Sequence, residues 1–143
     1  MSFTDYTPLQ PRTVGATSVY SDLDLRDPFI SPLTKDVVPL LDLYAVKASV
    51  RNLVLTNFYE GLFDPFRGGN VRALLFENAT TFTAMSIQKE ITRVLLENEP
   101  RINVTNVTVV DNADNNAYQI TISFNVIAIN VSTTVNFSLV RIR

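Results

Sequence analysis

Apolar residues recur along this chain in two periods, and the change from one to the other falls at a proline. Val46, Val50, Leu53, Val54 and Phe58 stand at i, i+4, i+7, i+8 and i+12, the spacing of one buried helix face. Asp42 is placed to cap that helix, and Asn57 lies near its end. A second stripe of Ile87, Ile91, Val94 and Leu95 has Gln88, Lys89, Arg93 and Glu97 on its opposite side. This helix is predicted to start with Thr83 as N-cap. It must end by Asn98, because Pro100 has no amide hydrogen and disfavours helical geometry at Glu99. From Ile102 the period is two. Residues 102–110 predict a strand whose alternation slips near Asn106, as a bulge would make it, and Asp-Asn-Ala-Asp-Asn-Asn at 111–116 predicts a turn. Tyr118, Ile120, Ile122, Phe124 and Val126 then share one face of a second strand. After a turn around 130–132, a third strand puts Val135, Phe137 and Leu139 on one face and Val140 and Ile142 on the other.

Between the two helices, Gly61, Asp64-Pro65 and Gly68-Gly69 predict a tight loop, followed by a helical turn over 71–77 with Asn70 as its cap. Gly68-Gly69 lacks the flanking Gly-x-x-x-x-Gly-Lys-Ser/Thr pattern of a nucleotide loop and reads as a turn. Before residue 34 no period is sustained, and four of the seven prolines fall there. The predicted fold is α+β: one domain over 34–143, with an antiparallel sheet of three to four strands packed against two main helices, preceded by an extended N-terminal arm over 1–33. The first fifteen or so residues fit an arm lying on another surface and a free tail equally well. Residues 133–140 contain no charge and no proline, and Arg141 and Arg143 guard the end of that stretch. If it is a sheet edge, Thr133, Val135, Phe137, Leu139 and Arg141 are candidates for accepting another strand.

Composition narrows the chemistry. With no His and no Cys, Ser-His-Asp and Cys-His catalysis, thiolate or imidazole zinc sites and disulfides are all excluded. No cofactor or metal site is expected; the 111–116 turn has acidic spacing but lacks the Gly and closing Glu of a calcium loop. A net charge of -2 without a basic stripe argues against nucleic acid as a partner. No stretch reaches the ~18 apolar residues of a membrane span, and the N-terminus lacks the basic and apolar regions of a signal peptide, so no membrane is expected and the chain is expected to be made and used in cytoplasm. The five Asn-x-Ser/Thr sequons, at Asn78, Asn103, Asn106, Asn130 and Asn136, then read as by-products of Asn- and Thr-rich strands. Charged residues make up 18% of the chain, below the roughly 25% of soluble proteins, and nine of the twelve cations are Arg, a bias that suits fixed ion pairs and interfaces.

Glu99 and Arg101 flank Pro100 where helix gives way to strand. An extended backbone sends i and i+2 to the same side, so the two charges stand together, either pairing locally or presented to a partner.

A series of short pieces carries a resemblance: Tyr-Ser-Asp-Leu-Asp at 20–24, Lys-Asp-Val at 35–37, Ser-Val-Arg-Asn-Leu-Val-Leu-Thr at 49–56, Phe-Asp-Pro-Phe-Arg-Gly-Gly at 63–69, Leu-Leu-Phe-Glu-Asn at 74–78 and Glu-Asn-Glu-Pro-Arg-Ile at 97–102. In this order they resemble the gene-25-like baseplate wedge family of contractile phage tails, whose members also occur at the base of type VI secretion sheaths. The resemblance implies a structural, non-enzymatic virion protein of the baseplate, assembled in the host cytoplasm in several copies, six being expected. It implies that Glu99, Pro100 and Arg101 touch the helical core bundle of other wedge proteins, that the sheet accepts extended arms of the tail sheath protein, and that Tyr20 and Asp22 make an arm contact. Tail tube and hub proteins are further implied neighbours.

Two other functions stay open at the level of sequence. The family has carried a lysozyme-like label, and a peptidoglycan hydrolase would need two carboxylates about 5–9.5 Å apart, one with a raised pKa. Glu60, Asp64, Glu77 and Glu90 are the candidates, and the chain has no Trp to serve as a sugar platform. A small cytoplasmic adaptor sharing the fold is the third.

Overall fold

The computed structural model describes residues 18–23, 39–78, 80–112 and 115–141. In chain order, β1 (Ser21–Leu23) and β2 (Pro39–Leu41) precede α1 (Leu43–Leu55), α2 (Val71–Leu74) and α3 (Thr81–Asn98), and β3 (Ile102–Asn112), β4 (Ala117–Val126) and β5 (Val131–Val140) follow. β3, β4 and β5 form an antiparallel sheet in that order, and β1 pairs with β2 in a separate antiparallel ladder. This is the expected α+β class, with three strands in the main sheet. Most of the expected arm, the 35–37 piece, Ala113-Asp114, Ile142 and Arg143 lie outside the described residues.

The two sequence periods meet in one core. Ile87, Ile91, Val94 and Leu95 of α3 and Val46, Val50, Leu53 and Val54 of α1 are buried together with Tyr118, Ile120, Ile122, Phe124 and Val126 of the central strand. The slip in β3 is a bulge between Val104 and Asn106; the extra residue restores the phase, so that Val107 faces the core as Ile102 does. The opposite face of the sheet includes Asn103, Asn106, Thr108, Val110, Asn112, Gln119, Thr121, Ser123, Asn125, Ser132, Thr134, Asn136, Ser138 and Val140, and among the described residues no acid or base.

Several boundaries move, each for a local reason. α3 is capped by Thr80, whose Oγ accepts from the Thr83 amide at 3.1 Å; Thr83 is instead buried inside the first turn and donates to the Asn78 carbonyl. A Thr-Thr-Phe-Thr run offers a cap in either register, and the earlier one leaves fewer amides unpaired. Asp42 sits at the N-cap position of α1 without capping it, because its Oδ1 accepts from the amides of Val19 and Tyr20. α1 ends at Leu55, so Phe58 falls outside the helix, half-buried with the Arg93 guanidinium 5.2 Å over its ring. The turn of helix after Asn70 is four residues long, and Asn70 makes no side-chain cap; its amide donates to Glu90. The β4–β5 turn is residues 127–130, with Asn130 at φ 49 in the left-handed region that asparagine tolerates.

Candidate interaction sites

The helix–strand junction is built from the backbone outward. Glu99 is the C-cap of α3, with φ -125 and ψ 80 and its amide on the Leu95 carbonyl, so Pro100 costs no helical hydrogen bond. Glu99 and Arg101 then project to the same side, as expected. They form a two-pronged pair, Nε to Oε1 at 2.6 Å and Nη2 to Oε2 at 2.7 Å. Ser49 of α1 closes the arrangement, donating its hydroxyl to Glu99 Oε2 at 2.6 Å and accepting from Arg101 Nη2 at 2.8 Å. The guanidinium also lies 5.4 Å from the centre of the Tyr20 ring.

The Glu99 side chain is only 3% exposed, whereas that of Arg101 is 33% exposed and Pro100 is on the surface. Burial by itself would raise the Glu99 carboxyl, but the Arg101 guanidinium and the Ser49 hydroxyl outweigh it and hold the pKa below its ordinary value. On the Arg101 side, the Glu99 carboxylate is the main group that raises the pKa, with Tyr20 and Asp22 adding to it. Tyr20, expected to make an arm contact, therefore lies against the Glu99–Arg101 pair, while Asp22 is exposed and its Oδ1 accepts from the Leu23 amide. Tyr20 is fixed there from behind: its carbonyl accepts from the Asp42 amide at 2.8 Å, and β1 beside it pairs with β2.

β5 is an edge of the sheet among the described residues. Its ladder phase follows from the Arg141 amide, which donates to the Asn116 carbonyl at 2.8 Å. Antiparallel pairs alternate between bonded and non-bonded, so with Asn116 and Arg141 bonded, Leu139, Phe137, Val135 and Thr133 bond β4, while Ser138, Asn136, Thr134 and Ser132 turn their N–H and C=O away from it. The backbone groups on the open edge thus belong to the even-numbered residues, and not to Thr133, Val135, Phe137 and Leu139, the positions expected to accept another strand. Phe137 and Leu139 are buried, and Thr133 and Val135 half-buried. Arg141 is folded back: only 11% of its side chain is exposed, its Nη2 pairs with Asp111 Oδ1 at 2.6 Å, and its guanidinium lies over Tyr118. It clasps all three strands at one end of the sheet.

Of the hydrolase candidates, Glu60 and Glu90 have pKa values shifted opposite to that of a proton-donating acid. Glu60 is exposed and accepts from Asn57 N and Nδ2, bonds that lower its pKa. The Glu90 pKa is lowered chiefly by Arg93, and Glu90 also accepts from the Asn70 amide. Asp64 and Glu77 are exposed. A surface groove between α3 and β3, lined by Thr80, Thr81, Ala84, Val109, Val110 and Asp111, offers one carboxylate, and Arg141 already holds it. Among the described residues no three acids come together to hold a metal.

Residues 42–131 match the family model described as baseplate wedge protein gp25. The chain is 32% identical over 109 residues to baseplate wedge protein gp25 of Enterobacteria phage T4, covering 76% of this chain and 81% of the phage protein. Among solved structures it is similar to a Geobacter sulfurreducens crystal structure described as a tail lysozyme, with 23% identity, a TM-score of 0.63, and coverage of 68% of this chain and 89% of that one. It is also similar to a chain in the six-fold symmetrised cryo-EM structure of the anti-feeding prophage baseplate, with 21% identity, a TM-score of 0.53 and 79% of each chain covered. The two structural likenesses concern the fold. The family match contains Glu99, Pro100 and Arg101 and stops at the first residue of β5; Tyr20 and Asp22 lie before it, and Thr133 to Arg141 beyond it.

Proposed function

Because this chain belongs to the family of baseplate wedge protein gp25, we propose that it is a structural part of a contractile-tail baseplate, and that it seats the tail sheath by adding a sheath strand to the edge of β5. The observation that carries this reading is the row of outward backbone groups at Ser132, Thr134, Asn136 and Ser138 on a strand with no charge from 131 to 140. Strand addition needs such an edge, because main-chain hydrogen bonds supply its affinity. The fixed geometry of β5 spares an incoming arm part of the ordering cost of binding. Several copies around the tail add avidity; six is the number proposed, and the six-fold symmetry of the prophage baseplate supports it.

The Glu99–Arg101 pair has a narrower role in this reading than a pair of free anchors. Glu99 is spent inside the chain, and what remains for the helical core bundle of other wedge proteins is the exposed part of Arg101 beside Pro100. The protein is proposed to work without catalysis, as part of the virion and assembled in the host cytoplasm; among the described residues, the carboxyl pKa values of Glu60, Glu90 and Glu99 are lowered, opposite to the raised acid that glycoside hydrolysis needs. The test is Asn136→Pro, which removes one outward amide. Tails assembled with this variant should retain the protein in the baseplate and lose the sheath, as seen by electron microscopy; a normal sheath would place strand addition elsewhere.

A further inference from the structure

Four large apolar side chains stand out from the loop between α1 and α2. Tyr59, Leu62, Phe63 and Phe66 are 75, 88, 96 and 69% exposed, and they do nothing for the core. Such a loop would ordinarily yield and fold its side chains down, but this one is braced against that. The Tyr59 amide donates to the Pro65 carbonyl at 2.7 Å, Phe58 to Gly69 at 3.2 Å, and Gly69 to Thr56 at 3.0 Å. The Glu60 carboxylate accepts from Asn57 N and Nδ2. Gly68 holds φ 103 against the Thr56 carbonyl, and a Cβ at Gly61 would lie 2.6 Å from the Asp64 carbonyl oxygen. From α3, Arg93 reaches under the loop to the Gly68 carbonyl and covers Phe58. Tyr59 itself is held at φ 66, an uncommon conformation for an aromatic residue.

We infer that this loop is a preformed docking knob that inserts Leu62 and Phe63 into an apolar pocket of a different baseplate protein. A rigid convex tip needs a concave acceptor, and aromatic side chains presented without ordering cost are the usual anchors of an interface. Charge argues for a folded protein as that acceptor. Asp64 and Arg67 flank the tip, both exposed, and neither has an ion-pair partner among the described residues. A pocket with a cation facing Asp64 and an acid facing Arg67 satisfies both, whereas an anionic lipid surface would repel the acid at the tip. This inference rests on the baseplate reading for the identity of its neighbour, and on the loop geometry for the contact itself.

The experiment uses the full chain in assembled tails. A photo-reactive benzoylphenylalanine replaces Phe63, with the same replacement at Phe76, 62% exposed and on the far side of α2 in sequence, as control. The expected product is a cross-link from position 63, absent at 76, to apolar residues of one other baseplate protein. A cross-link to a second copy of this chain or to lipid, or equal yields at both positions, overturns the inference. In parallel, Leu62→Ser with Phe63→Ser should leave the melting temperature of the isolated protein unchanged and lower incorporation into tails at least about tenfold. If the unaltered chain is missing from purified tails, the baseplate reading itself fails; if it is present and the double variant enters equally well, only the docking knob fails.

Discussion

Removing the Arg101 side chain tests the junction most directly. In the native protein the Glu99 side chain is 3% exposed and its carboxylate is compensated by one guanidinium and one hydroxyl. Arg101→Ala leaves it with Ser49 alone, and breaking a buried pair from one side costs ~3–5 kcal/mol because a charge is left uncompensated. The carboxyl has an escape, which sets a ceiling. Protonating an ordinary glutamate at pH 7 costs about 3.7 kcal/mol, at about 1.4 kcal/mol for each of the ~2.7 pH units above its reference pKa of about 4.3, and at pH 5 only about 1 kcal/mol. The expected loss is therefore about 3–4 kcal/mol at pH 7, shrinking toward about 1 kcal/mol at pH 5. The sign follows from linkage. In the native protein the Glu99 pKa is lowered, so its contribution is present above the unfolded pKa and disappears as pH falls through the folded one. In the variant the folded pKa is raised by burial, so the folded state binds the extra proton and stability falls as pH rises above about 4.3. Urea unfolding of both proteins at pH 5 and 7 measures this, and Glu99→Gln in the Arg101→Ala background should recover most of the loss at pH 7. A penalty below about 1 kcal/mol at pH 7, or one that does not change with pH, would refute the buried, ionised pair.

Other perturbations separate edge from core. Phe137→Pro removes an amide bonded to β4 and empties a buried site, and should lower stability by more than ~3 kcal/mol, whereas Asn136→Pro, whose amide faces outward, should cost about 1 kcal/mol or less; thermal melts of the isolated protein compare them. Ile122→Ala, at the centre of the sheet, should cost ~2–5 kcal/mol in urea unfolding, and a smaller value would mean that the core closes over the gap. Thr80→Ala should cost about 1 kcal/mol through loss of the α3 cap; no measurable change would return the capping role to another residue.

The sequence carried the periodic part of this molecule well. Two helical stripes (apart from Phe58), the bulge in β3 and the alternation of β4 appear where the spacing puts them, because burial on one face imposes the same rule on sequence and structure. What it carried poorly are positions whose role depends on distant partners. Asp42 reads as a helix cap and serves the amides of Val19 and Tyr20, more than twenty residues away. Glu99 and Arg101 were legible as a pair, but nothing local shows that Ser49 would bury one of them. Arg141 reads as a guard of the strand end and is drawn inward by Tyr118 and Asp111, two strands across. The outward groups of β5 required the phase of its ladder, which the length of the 127–130 turn sets and the side-chain pattern does not reveal. The loop over 61–69 reads as a tight turn because its glycines are turn signals, and nothing in that pattern marks Leu62, Phe63 and Phe66 as exposed.

The face of the sheet turned away from the helices has no ionisable group among its described residues. Nothing on it titrates or attracts a counterion, so whatever lies against it is held by contacts that changes of ionic strength or acidity hardly loosen. The same neutrality removes the electrostatic repulsion that keeps like surfaces apart. No charge on this face holds two free copies apart when they meet sheet to sheet, so such pairing is expected to rise with the concentration of the free chain.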